Sequence, residues 1–152
     1  MAIRTQGTNV YVFDGTTLTT LECITDIDLG SDSTSKLDNT CLEETNSKAY
    51  LTGLNDPGEG SITINFDDEN ESHIKLHELA ESKADLQWYI GASGATVAPT
   101  VAGGVVSLPT TRTFWRFRGS LAPATPTFGQ DALVTNVFTL TRSTGVTVVP
   151  KA

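Results

Sequence analysis

Ser61-Ile62-Thr63-Ile64-Asn65-Phe66 alternates polar and apolar residues without a break. Side chains on a strand project to opposite faces with a period of two, so Ile62, Ile64 and Phe66 are predicted to face a core and Ser61, Thr63 and Asn65 to face away. The stretch Thr111 to Leu121 keeps the same period, with Thr113, Trp115, Phe117 and Leu121 on one face and Arg112, Phe114, Arg116 and Arg118 on the other. A helix, with 3.6 residues per turn, cannot sort these side chains that way. A chain patterned like this has to build a sheet. The 24 threonines and 13 glycines among 152 residues add strand and turn preference to the pattern.

Turn chemistry divides the rest. Thr8 to Phe13 is a β-rich run stopped by Asp14-Gly15, a hairpin signal. A long strand is predicted from Thr17 to Leu29, with Leu21, Cys23, Ile27 and Leu29 on one face and Glu22, Asp26 and Asp28 on the other; Ile24 and Thr25 spoil the alternation. Residues 30–46 form a polar stretch whose only apolar members are Leu37, Cys41 and Leu42, predicted to be a long loop or extended arm. A short strand near Tyr50 to Leu54 and an Asp56-Pro57-Gly58 turn follow. One helix is predicted after Phe66, capped by Asp67 or Asp68, burying Ile74, Leu76, Leu79 and Ala80 and ending near Lys83. Leu86 to Ile90 is an aromatic strand, the uncharged 91–109 stretch a flexible loop or loose hairpin, and Ala132 to Arg142 and Val146 to Val149 a closing pair. The fold class is mainly β: one domain over 1–152, a β-sandwich or barrel-like sheet with one flanking helix and a long polar arm.

Charge is unevenly placed. Residues 1–85 carry 17 acids and five bases, and residues 86–152 carry one acid and five bases, for a total of −8. Opposite signs in two halves of a small chain suit copies that dock acidic face to basic face. A protein that grips phosphate would have the reverse overall sign. No apolar run reaches the roughly 18 residues of a membrane helix and no basic-then-apolar leader opens the chain, so neither membrane spanning nor classical secretion is expected.

Chemistry is hard to find. His73 and His77 stand four apart on the predicted helix, but Ile74 follows the first where zinc-hydrolase helices place Glu, and no third ligand is suggested. The 67–71 acidic run lacks the central Gly of a calcium loop. No GxSxG elbow or phosphate-binding loop occurs, and Cys23 and Cys41 are expected to be reduced thiols. No catalytic, cofactor-binding or metal-binding residues are assigned.

The order of features carries more. A hairpin at Tyr11–Phe13 and Asp14-Gly15, a long strand, a polar arm, Gly53-Leu54-Asn55-Asp56-Pro57-Gly58-Glu59-Gly60 leading into Ile62–Phe66, a helix, and the strand Phe114-Trp115-Arg116-Phe117-Arg118-Gly119 before Thr-rich strands ending at Gly145 follow one another. This series resembles the tail tube (major tail) proteins of long-tailed, non-contractile phages across nearly the whole chain. The resemblance implies a structural virion protein, assembled in the host cytoplasm, whose six copies close a ring and whose rings stack into a conduit for double-stranded DNA. It implies tape-measure and tail terminator or tip proteins as further partners. Within that frame Glu22, Asp26 and Asp28 are expected to face the bore, where an acidic wall keeps DNA from sticking. Arg112, Arg116 and Arg118 are expected to pair with acids of the neighbouring subunit. The arm, with Lys36, Leu37, Asp38 and Leu42, is expected to bridge successive rings. Two other readings stay open: a carbohydrate- or protein-binding β-sandwich with Trp88, Tyr89 and Trp115 as its platform, and a terminator, adaptor or secretion-tube protein of similar fold.

Overall fold

The computed structural model describes residues 2–123 and 125–152. In chain order the strands before the helix are β1 (Asn9–Phe13), β2 (Leu18–Leu21), β3 (Ile24–Asp28), β4 (Ser33–Asp38), β5 (Tyr50–Asp56) and β6 (Glu59–Asn65). The helix α1 (Glu71–Ser82) precedes β7 (Leu86–Gly91), β8 (Thr100–Ala102), β9 (Val105–Ser107) and β10 (Phe114–Leu121). Last come β11 (Pro126–Thr127), β12 (Thr135–Arg142) and β13 (Thr147–Val149). One antiparallel sheet runs β2-β1-β7-β10-β12-β6-β3, with β11 added to β12 and β13 to β10.

The predicted long strand is two strands, and the reason lies at Cys23. Its φ of 54° is left-handed, and it turns the chain out of β2 and into β3. β2 and β3 are the two ends of the sheet path, yet only Glu22 and Cys23 join them. Seven flat strands would set those ends about 29 Å apart at ~4.8 Å spacing, whereas the three residue steps from Leu21 to Ile24 reach about 11 Å. The sheet therefore curls back on itself into a barrel-like layer. A bulge between Ile24 and Asp26 then resets the alternation, so that Ile24 and Ile27 both pack on the core and Cys23 is exposed.

Helix α1 lies by the corner and holds it. The Ser72 hydroxyl accepts the Glu22 N–H at 3.1 Å, and His73 Nε2 lies 2.8 Å from the Glu22 carbonyl. His73 Nδ1 accepts the Asp67 N–H at 3.1 Å, which leaves Nε2 as the donor to Glu22. The helix cap is Asn70, whose side chain accepts from the Ser72 N–H, in place of the predicted Asp67 or Asp68; Asp67 Oδ1 instead takes the Glu69 N–H in the preceding turn. The buried stripe also differs from the predicted one. His73 is buried and Ile74, predicted inward, is 44% exposed, while Leu76, Leu79 and Ala80 are buried as predicted. The helix ends on Lys83 in the left-handed conformation.

The main core gathers Val10 and Val12 of β1, Ile62 and Ile64 of β6, Trp88 of β7, Phe117 of β10, and Phe138 and Leu140 of β12 against the helix. Trp88 stacks on Phe117 and donates its indole N–H to the Gly119 carbonyl at 3.1 Å. On the other sheet face Tyr11, Phe13, Tyr89 and Phe114 form a second cluster, covered by Val106 and Leu108. The predicted flexible loop at 91–109 thus contains the hairpin β8–β9, turned by Gly103 and Gly104, both at positive φ. Phe138 is fully buried between sheet and helix. Phe138→Ala is expected to cost about 3–5 kcal/mol in a urea unfolding series; a loss below 1 kcal/mol would mean that the helix–sheet core is not arranged this way.

Candidate assembly surfaces

Among the described residues, none forms a covering layer over the outward side of β3, β6 and β12. Register places Asp26 and Asp28 of β3 beside Thr63 and Ser61 of β6, and these beside Val137 and Thr139 of β12. Glu59 faces Thr141 on the same surface. The result is a hydroxyl-rich face with three acids and no base. Glu22 is not part of it. The corner at Cys23 sends Glu22 to the groove between β2 and α1, where Glu71, Lys75 and Glu78 are its neighbours in the lining. The three acids expected to share one face are thus split by the break in the strand.

The next strand over changes the sign. Arg116 and Arg118 project outward from β10 beside Tyr89 and Gln87 of β7 and line an open pocket of about 490 Å³ with residues 144–147. Arg118 Nε lies 3.1 Å from Asp85 Oδ2, yet its side chain is still half exposed. Burial pushes the Tyr89 hydroxyl up, and the Arg116 and Arg118 charges oppose that shift.

Arg112, expected in the same role, is 1% exposed. It precedes β10, so the alternation of that strand does not govern it. Its Nε donates to the Ala92 carbonyl at 2.9 Å, Nη1 to the Val97 carbonyl at 3.3 Å and Nη2 to Asn9 Oδ1 at 3.1 Å. The guanidinium also packs over Phe114 and against Gly91, where any Cβ would stand 2.6 Å from its Cζ. Arg112 organises the 91–112 segment of its own chain and is not available to a neighbour.

The polar arm is a hairpin, β4 paired with β5, and extends to Asp56 beyond the predicted stretch. Lys36, Leu37 and Asp38 lie on β4 opposite Thr52, Leu51 and Tyr50, and Leu42 stands in the tip loop, fully exposed. Lys36 Nζ sits 5.4 Å from the Tyr50 ring centroid. An isolated two-stranded hairpin is marginally stable in water, so its root matters. Arg142 supplies it. This side chain is 1% exposed and donates through Nε to the Leu29 carbonyl at 2.7 Å, through Nη1 to the Thr144 carbonyl at 3.2 Å, and through Nη2 to Asp32. Asp32 Oδ2 also accepts from Asn55 Nδ2 at 3.2 Å, tying β5 to the same point. Sequence reasoning passed over Arg142, although the period of β12 puts it inward with Phe138 and Leu140. An inward charge on a strand is the signal that a buried partner must exist.

The remaining candidates play other parts. His77 Nε2 accepts from Asn136 Nδ2 at 3.0 Å while its ring packs edge-on to Phe66 and Phe138. Trp88 and Tyr89 are buried and form no exposed platform. Cys23 and Cys41 are free and exposed.

The fold, mainly β with one flanking helix, is shared with solved chains from phage tails and related particles. The subunit in the tail of the empty GTA particle, computed with helical refinement and C6 symmetry, superimposes with a TM-score of 0.66 at 10% identity, covering 97% of this chain and 99% of that one. The SPP1 tail tube gives 0.60 at 10% identity, covering 98% and 80%. A chain of the PVC sheath-tube complex gives 0.67 at 12% identity, covering 98% and 92%. In sequence the chain is 31% identical over 157 residues to structural protein 3 of Pseudomonas phage PAJU2, covering 99% of this chain and 95% of that protein. The protein belongs to the lambda-like phage tail tube family, which it matches over residues 1–152. It is a structural component of the phage tail, and its place is the virion.

The Arg142 and Asn55 hydrogen bonds hold the Asp32 carboxyl below its ordinary 3.8. A lowered folded value stabilises the arm root fully above pH 3.8, and that contribution is lost as pH falls through the lowered value. Hydrogen exchange of β4 and β5 amides is expected to accelerate relative to the core on acidification below pH 3.8, and Asp32→Asn to abolish that relative change. An arm whose protection tracks the core throughout would contradict the anchoring role.

Proposed function

We propose that six copies close a ring through their sheet edges, that rings stack into a tube, and that double-stranded DNA passes through the bore. The observation that carries this reading is the open face of β3, β6 and β12, with Asp26, Asp28 and Glu59 and no base, in a chain of the tail tube family. A wall that held DNA through 6–10 phosphate contacts would bind it with an affinity changing by about 10³–10⁵ over moderate salt. A surface of acids and hydroxyls offers no such contact. The C6 symmetry belongs to the GTA tail that shares the fold, and six is carried over from there.

Apart from the acids of the open face, the first 85 residues are strongly acidic while β10 presents Arg116 and Arg118, so one side of a copy complements the opposite side of the next. That is the polarity a ring of identical copies needs, and Arg116 and Arg118 are the cations that supply it. The unpaired edges of β2 and β3 are satisfied by neighbours in the same closure. The arm bridges successive rings, and tape-measure, terminator and tip proteins occupy the bore and the ends. Assembly takes place in the host cytoplasm.

Electron microscopy of concentrated pure protein is expected to show rings or tubes; single particles under all conditions would overturn the reading. The double variant Asp26→Lys/Asp28→Lys is expected to form normal tubes and lose genome delivery, and undiminished delivery would remove these acids from the bore. Arg116→Glu/Arg118→Glu is expected to weaken assembly most at low ionic strength, where exposed charges are least screened. A salt-independent result would exclude the charge pairing.

A further inference from the structure

The four most exposed large apolar side chains among the described residues fall in two places: Leu42 (106%) and Leu54 (89%) on the arm, Phe128 (75%) and Leu133 (69%) in and beside the β11–β12 connection. Strand register shows how the two places are related. The arm leaves the sheet at the Glu59 end of β6, whereas Phe66 follows the Asn65 end and donates its N–H to the Val134 carbonyl at 2.8 Å. Thr127 pairs with Thr135, which brings Phe128 and Leu133 to that same far end. The arm and an apolar collar of Phe66, Phe128 and Leu133 thus sit at opposite ends of one seven-residue strand, about 20 Å long.

We infer that the collar is the receptor for the arm of a second copy in the next ring. The inference rests on the tube reading above and names the surface the arm meets. Two different surfaces at opposite ends form a head-to-tail contact, which does not close on itself and repeats as an open stack. Each surface is apolar where water covers it in the single chain, and each loses that exposure when the other is seated on it.

Cys41, next to Leu42 in the arm tip, is a native reporter. In a Cys23→Ser parent it is the sole thiol, and Leu133→Cys or Phe128→Cys adds one partner in the collar. Treatment of assembled tubes with a short bismaleimide is expected to give a ladder of covalent oligomers extending past the number of subunits in a ring, while Thr139→Cys, on the open sheet face, gives none. A ladder that stops at the ring number, an equal ladder from Thr139→Cys, or no cross-linking by either collar variant in intact tubes would overturn the inference and leave the tube reading standing. A parent that forms no tubes would sink the tube reading itself, and this inference with it.

Discussion

Two residues, Glu22 and Cys23, hold the geometry of the whole sheet. They join strands at opposite ends of a seven-strand path, so the sheet can satisfy its covalent connections only by curling. The corner exposes backbone groups that a continuous strand would have paired, and α1 supplies the partners through Ser72 and His73. The helix is therefore both the cover of the core and the clamp on its seam. His73 suits this position, since one ring nitrogen accepts a backbone N–H while the other donates to a carbonyl.

Curling leaves the two faces of the sheet in different environments. The inner face is filled by Ile62, Ile64, Trp88, Phe138 and Leu140, while the outer face of β3, β6 and β12 is left to water and to whatever copies lie beside it. The two buried arginines belong to this division as well. Arg112 gathers the segment before β10 around carbonyl oxygens, and Arg142 gathers the root of the arm around Leu29, Thr144 and Asp32. Both charges are spent inside the chain. Arg116 and Arg118, by contrast, keep their side chains at the surface of the sheet.

The period of two in β6 and β10, the Asp14-Gly15 hairpin and the helical stripe around Leu76, Leu79 and Ala80 were all legible in the residues. Each rests on contacts between near neighbours, where alternation or turn chemistry is enough. The misread elements depended on distant partners. Residues 30–46 read as a long loop or extended arm because Ser33–Asp38 has no apolar face to bury; their ladder forms with Tyr50–Asp56, whose Tyr50–Leu54 part read only as a separate short strand, and the root waits on Arg142 more than a hundred residues from Leu29. Arg112 looked outward because the alternation of β10 was carried two residues past its start.

The amino-acid order by itself determined that this chain is a sheet with one helix, which residues of each strand are apolar, and that its charge divides between two halves. Local geometry fixes those properties, because strand alternation, turn preference and side-chain ionisation do not need a partner far along the chain. Tertiary structure alone decided that Glu22 leaves the company of Asp26 and Asp28, that two of the four C-terminal arginines are internal, and that the arm and the Phe128–Leu133 collar stand at opposite ends of β6. Those outcomes follow from where a curled sheet brings remote strands together.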